Sequence, residues 1–202
     1  MAKSTYISEN LNVGHIALLK YLEDHEILFI NLRDLAAQLP VSLGSNVNEL
    51  VENLYQKGLL SRIERGTYAK PNYSNVNVLA TFINPGGTIA YWSALHHHNL
   101  TERFPYTVFV KTVHRKRDTN NLGSKVKFVT VKARRYIGTM EEGHGSNSFS
   151  VTDREMTMFD CFDQTRYSGD LSDLIRALEN GKWINKKLIE YMMGYDNTAL
   201  TK

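Results

Sequence analysis

Residues 46–71, NVNELVENLYQKGLLSRIERGTYAKP, decide the fold of the first third of the chain. In the opening half, Val47, Leu50, Val51 and Leu54 recur at three- and one-residue steps and mark the buried face of a helix starting near Ser45 or Asn46. Gly58 is a natural left-handed stop for it. In the closing half, β-branched and aromatic residues flank Arg65-Gly66, the pattern of a tight hairpin, and Pro71 closes the second strand. Upstream, the segment from Asn31 to Leu39 reads as a short helix capped by Asn31 and stopped before Pro40. Before it, Val13, Ile16, Leu19 and Leu22, widened by Ala17 and Leu18, give an amphipathic helix that starts at Asn12 and ends near His25. Three short helices and a hairpin predict a winged helix-turn-helix over residues 1–73. The alternative is a plain three-helix packing module.

The whole chain has 202 residues, of which 42% are hydrophobic and 22% charged, values that exclude disorder as the main state. No run reaches the roughly 18 apolar residues of a membrane span, and MAKSTYISENLN lacks the apolar centre of a signal peptide. A cytoplasmic protein without membrane contact is the expectation. The single cysteine, Cys161, excludes an internal disulfide and a Cys-rich zinc site, and its place on an apolar helix face reads as core.

Residues 74–202 predict a second, α+β domain: a small antiparallel sheet with flanking helices. Val76 to Ile83 is a short apolar run, and Thr88 to His98 reads as a helix capped by Thr88. Tyr106 to Val113 and Lys125 to Val131 alternate Val, Phe or Thr with Lys, as strands with one wet face do, and Asp118 to Ser124 reads as their hairpin loop. A third extended piece surrounds Phe149 to Val151. Helices follow over Asp153–Asp163, Asp170–Glu179, with Leu171, Leu174, Ile175 and Leu178 on one face, and Asn185–Met193.

The net charge of +3 hides an uneven distribution. Residues 1–73 carry seven cations and eight acids, whereas Lys111, Arg115, Lys116, Arg117, Lys125, Lys127, Lys132, Arg134 and Arg135 face one acid, Asp118, within 25 residues. Such a block is either a solvated edge that discourages strand aggregation or a surface for phosphates or an acidic protein partner. In a winged helix the second motif helix enters the major groove, so Ser45, Asn46 and Asn48 are the candidate base or phosphate contacts. Glu49 and Glu52 share the outward face but repel phosphates; Asn46 and Glu49 also have capping-box spacing. Arg62, Arg65, Thr67 and Lys70 furnish the wing. Because the reading head is near neutral, the basic block of the second domain is the expected auxiliary source of phosphate contacts.

Other chemistry finds less support. Consecutive side chains on a helix diverge by about 100°, so His96, His97 and His98 cannot all converge on one ion, and only one or two of them could join His114 or His144. Ser93 and His97 have nucleophile–base spacing without an orienting acid. Pro85-Gly86-Gly87 before Thr88 is an anion-binding pattern or a plain loop-to-helix turn. No cofactor, metal or catalytic residue is therefore expected. A metal-assisted enzyme using His96–His98 and His144 is the remote alternative.

The chain resembles the AbiEi-type antitoxin family of type IV toxin–antitoxin and abortive-infection systems. Four pieces carry the likeness: Leu54-Tyr-Gln-Lys-Gly-Leu-Leu60; Arg65-Gly66-Thr67-Tyr68 with Lys70-Pro71; Ser93-Ala94-Leu95 through Asn99-Leu100-Thr101 and Pro105; and Asp153-Arg154-Glu155 through Phe159-Asp160-Cys161, with Ser168-Gly169-Asp170. The resemblance implies a winged helix that binds inverted repeats in double-stranded DNA of its own promoter and represses the operon. It also implies a second domain that counteracts a nucleotidyltransferase-like toxin, with Arg65, Gly66 and Tyr68 matching the family's wing. A stand-alone winged-helix transcription factor with a ligand-sensing second domain is the alternative function.

Overall fold

Asn12 and His15 cap the first helix reciprocally: the Asn12 side chain accepts from the His15 backbone N–H, and the His15 ring accepts from the Asn12 N–H. This computed structural model describes residues 11–40, 46–120 and 123–194, in two units, Met1–Ser74 and Asn75–Lys202. In helix α1 (Val13–Asp24) the cap turns His15 inward with Leu18 and Leu22. The buried stripe is thereby rotated from the expected one, and Val13 and Ile16 stand in solvent.

Strand β1 (Phe29–Asn31) leads into α2 (Leu32–Gln38), whose cap is Asn31 accepting from the Arg33 N–H. Helix α3 (Val47–Gln56) buries Val47, Leu50, Val51 and Leu54, as the spacing predicts. Strands β2 (Ser61–Glu64) and β3 (Thr67–Ala69) form the expected antiparallel hairpin, and Gly66 turns it at φ +78°, where a side chain would be strained. Sequence periodicity missed β1, which is too short to show a pattern. It pairs with the other side of β3, Asn31 opposite Thr67, so β3 is the central strand of three. Leu18, Ile30, Leu35, Val51, Leu54, Leu60 and Tyr68 are among the residues of the core below.

The second unit comprises α4 (Val76–Phe82), β4 (Thr88–Ile89), α5 (Tyr91–His97), β5 (Thr107–Thr112), β6 (Lys125–Thr130), β7 (Thr139–Glu142), β8 (Phe149–Thr152), α6 (Arg154–Asp163), α7 (Leu171–Asn180) and α8 (Asn185–Gly194). Its five strands run in the order β6-β5-β4-β8-β7. The α+β class stands, but the sheet is mixed rather than antiparallel: β5 pairs parallel with β6, and β4 parallel with β8.

Three expectations change with that sheet. Thr88 caps no helix; it opens β4, with its hydroxyl 3.0 Å from that of Ser150, and Ala90 takes the N-cap position. Gly87 is required by close packing, since a Cβ there would stand 2.6 Å from Asn84 Nδ2 and 2.8 Å from Val110 Cγ1. Finally, the turn before β6 does not join it to β5 as a hairpin. The connection crosses over and comes back along the outer side of β6, where Thr119 and Val126 exchange backbone hydrogen bonds of 3.0 and 2.8 Å.

Asp153 caps α6 by accepting from the Met156 N–H, and Met158 and Cys161 pack into a core with Tyr91, Phe109 and Leu174. Burial pushes the Cys161 thiol far above its ordinary range, which makes it a core side chain rather than a nucleophile. On α7 only Leu174 of the predicted stripe is buried; Leu171, Ile175 and Leu178 face solvent. Helix α8 buries no side chain. It is held by polar contacts, the Lys187 ammonium and Tyr191 hydroxyl donating to Asp153 Oδ2 at 2.9 and 2.6 Å and the Ile184 N–H to Glu155 at 2.9 Å. Among the described residues no helix is long and apolar enough to cross a membrane.

Candidate nucleic-acid interface

Helix α3 and the hairpin that follows it bring the predicted contact residues onto one unit. Asn46 and Asn48 are exposed at the start of α3, and Arg62, Arg65 and Lys70 are exposed on the hairpin. Ser45 lies outside the described residues. Arg65 stands at the tip beside Gly66, whose carbonyl accepts from the Leu32 N–H at 2.9 Å, so the tip is fastened to the start of α2. That fastening holds the cation in position without using its side chain.

Two of the sequence assignments on this unit are corrected. Thr67 is buried, because the central strand β3 is covered on both sides by β1 and β2, and it cannot serve as a wing contact. The capping box between Asn46 and Glu49 does not form, since Asn46 makes no side-chain cap hydrogen bond, and Glu49 is simply exposed. Glu52 is the residue whose role sequence reasoning missed. Its carboxylate accepts from the Tyr68 hydroxyl at 2.8 Å and from Gln56 Nε2 at 3.2 Å, with the Arg62 guanidinium 6.0 Å from the Tyr68 ring centroid. The carboxylate is drawn toward the hairpin and partly offset by Arg62.

The Tyr68 hydroxyl, followed by Gln56 and the charge of Arg62, holds the Glu52 carboxyl below its ordinary value of 4.5. A depressed carboxyl stabilises the fold above its unfolded pKa, and that contribution disappears as the pH falls through the lower folded value. Tyr68→Phe is expected to return Glu52 toward its ordinary titration, a shift that an NMR pH titration of its side-chain carboxyl would read. An unmoved midpoint would mean the hydroxyl does not govern this group.

The basic block divides by environment. Arg115, Arg117, Lys125, Lys132 and Arg134 are exposed along β6 and its flanking turns, roughly 20 Å of sheet edge at about 3.3 Å per residue. Lys127 is half-buried, its ammonium 5.3 Å from the Tyr167 ring centroid. Lys116 donates to the Ile83 carbonyl at 2.5 Å, and Arg135 is paired with Asp163 at 2.9 Å, so both are engaged within the fold. Lys111 is removed from the surface altogether. It has no exposed area and donates to both oxygens of Asp160, equally buried on α6, at 2.7 and 2.9 Å. β5 is an interior strand buried on both faces, so the alternation that suggested a wet face does not apply to it.

The histidines diverge as helix geometry requires. His96 packs edge-on against Phe104, His97 stands 4.0 Å from Glu142, and His98 Nε2 donates to the Thr152 carbonyl at 2.6 Å. Burial keeps the His98 pKa below its usual value. His144 is exposed, and among the described residues no group of three or more His, Cys, Asp or Glu side chains is placed to hold a metal. Ser93 fastens α5 to β5: its Oγ accepts from the Phe109 N–H at 2.9 Å and donates to the Thr107 carbonyl at 3.3 Å.

No family model and no curated protein matches the chain. Among solved structures it is similar to the RV2827C protein from Mycobacterium tuberculosis, with a TM-score of 0.62 and 15% identity, over 92% of this chain and 73% of that one. At that identity the likeness describes fold alone.

Proposed function

We propose that the first unit is a winged helix-turn-helix that binds double-stranded DNA, and that the chain is a non-enzymatic antitoxin repressing its own operon. The observation that carries the reading is the pairing of α3, with Asn46 and Asn48 exposed at its start, to a hairpin presenting Arg62, Arg65 and Lys70. With side chains a helix is about 10–12 Å across, which suits a major groove about 12 Å wide. Arg65 at the hairpin tip then meets the adjacent minor groove or its phosphates. The exposed cations Arg115, Arg117, Lys125, Lys132 and Arg134 supply auxiliary phosphate contacts or a face that opposes a toxin. The antitoxin part, against a nucleotidyltransferase-like toxin, rests on the resemblance to AbiEi-type antitoxins.

The test uses a duplex from the chain's own promoter, titrated by fluorescence anisotropy across a salt series. Specific binding with a steep salt dependence is expected. Replacing Arg115, Arg117 and Arg134 with alanine should flatten the slope by about 0.9 for every phosphate that is no longer neutralised. Binding no tighter than to unrelated duplex would reject the repressor, and an unchanged slope would reject the shared footprint. Rescue of cells expressing a nucleotidyltransferase-like toxin, should one be encoded beside this gene, tests the antitoxin activity separately.

A further inference from the structure

A cleft of about 320 Å³ opens in the second unit beside Gly169, lined by Trp92 of α5, Phe109 of β5, Arg103, Arg166 and Tyr167 among others. Its wall is aromatic: Phe109 and Tyr167 have centroids 5.5 Å apart, and Gly169, at φ +80°, leaves the Trp92 indole uncovered where a Cβ would stand 3.4 Å from it. Arg103, Arg166 and Asp170 are its charged lining residues, and Lys127 stands beside it on β6. The Arg166 guanidinium lies 4.7 Å and the Lys127 ammonium 5.3 Å from the centroid of the same Tyr167 ring. Neither cation has a carboxylate partner among the described residues. Arg103 differs, since Asp170 at 2.7 Å and Asp173 at 3.2 Å hold and neutralise it.

We infer that this cleft is a binding site for a free nucleoside phosphate. Two uncompensated cations held against one ring call for an anion with more than one charge, and desolvating them for a purely apolar ligand would be unfavourable. The aromatic wall calls for a flat ring, which inorganic phosphate lacks. A base against Trp92 with its phosphates toward Lys127 and Arg166 satisfies both at once, in a cavity of the size small-ligand sites occupy. The inference concerns the second unit only and stands or falls apart from DNA binding by the first.

The chain has two tryptophans, so Trp183→Phe leaves Trp92 as the sole indole reporter in the full-length protein. Titration with ATP, GTP, CTP and UTP, without DNA, is expected to give saturable fluorescence quenching by at least one of them. Adenosine and tripolyphosphate should bind about tenfold or more weaker than ATP if ATP is the responder. Lys127→Ala combined with Arg166→Ala should weaken the nucleotide about tenfold while leaving the melting temperature of the free protein unchanged. The same ligands should raise the melting temperature of the wild-type chain, which keeps the test open if the reporter variant folds poorly. No response up to about 1 mM nucleotide overturns the inference. So does equal affinity for tripolyphosphate, an unaffected double variant, or a response to a single-stranded oligonucleotide with none to free nucleotides.

Discussion

Asp160→Asn is expected to destabilise the second unit by about 3–5 kcal/mol, the usual consequence of leaving one member of a buried ion pair unpartnered. Lys111 and Asp160 have no exposed area, and both carboxylate oxygens lie within 2.9 Å of the ammonium. Asparagine keeps the shape but removes the charge, so the ammonium stays in a dry interior with only a neutral acceptor. The opposite result is expected of the double replacement Lys111→Met with Asp160→Leu. Two apolar groups of similar bulk avoid the desolvation that the pair must overcome, and stability should recover to within about 2 kcal/mol of wild type. Urea unfolding followed by the fluorescence of Trp92 and Trp183, both in this unit, measures each variant. A single variant that loses less than about 1 kcal/mol would show that the ammonium finds water or another acceptor there. The pair joins the interior strand β5 to the middle of α6, so its geometry fixes where that helix lies on the strands.

Removing Arg62, Arg65 and Lys70 together should weaken binding to the chain's promoter DNA by about 100- to 1,000-fold at physiological salt. The slope of log affinity against log salt should fall by up to about 2.7, at about 0.9 for each phosphate left without its cation. Arg62 is expected to contribute least, because it lies near the Glu52 carboxylate and over the Tyr68 ring, whereas Arg65 projects from the hairpin tip. Each single alanine variant ranks these roles. Affinity within threefold of wild type with an unchanged slope would mean that the hairpin is not a wing.

The elements that the sequence displays well are those with many residues per pattern. Val47, Leu50, Val51 and Leu54 all turned inward, and Arg65-Gly66 turned the hairpin, because helix periodicity and a glycine at positive φ are local properties. Short strands are different. Two residues of β4 and three of β1 carry no period, yet β1 decides that Thr67 is buried and β4 supplies the middle of the larger sheet. Alternation in β5 and β6 reports strand character but not direction, and a connection of residues 113–124 is just long enough for a parallel crossover. Lys111 looked solvated because its partner is 49 positions away and nothing near it announces Asp160. On α7 the apolar spacing of Leu171, Ile175 and Leu178 is real, but a stripe in sequence does not supply a surface to cover it.

Helix α8 joins the second unit through Asp153 and Glu155 and buries none of its own side chains. Little apolar area resists its release, so its free energy of opening should sit far below that of the sheet. The unit therefore has at least two levels of cooperativity: amides of α8 exchange with solvent through a local opening, while those of β4 and β5 wait for global unfolding. Because Asp153 also caps α6, the same carboxylate couples the loosest helix to the first turn of one of the best-buried ones.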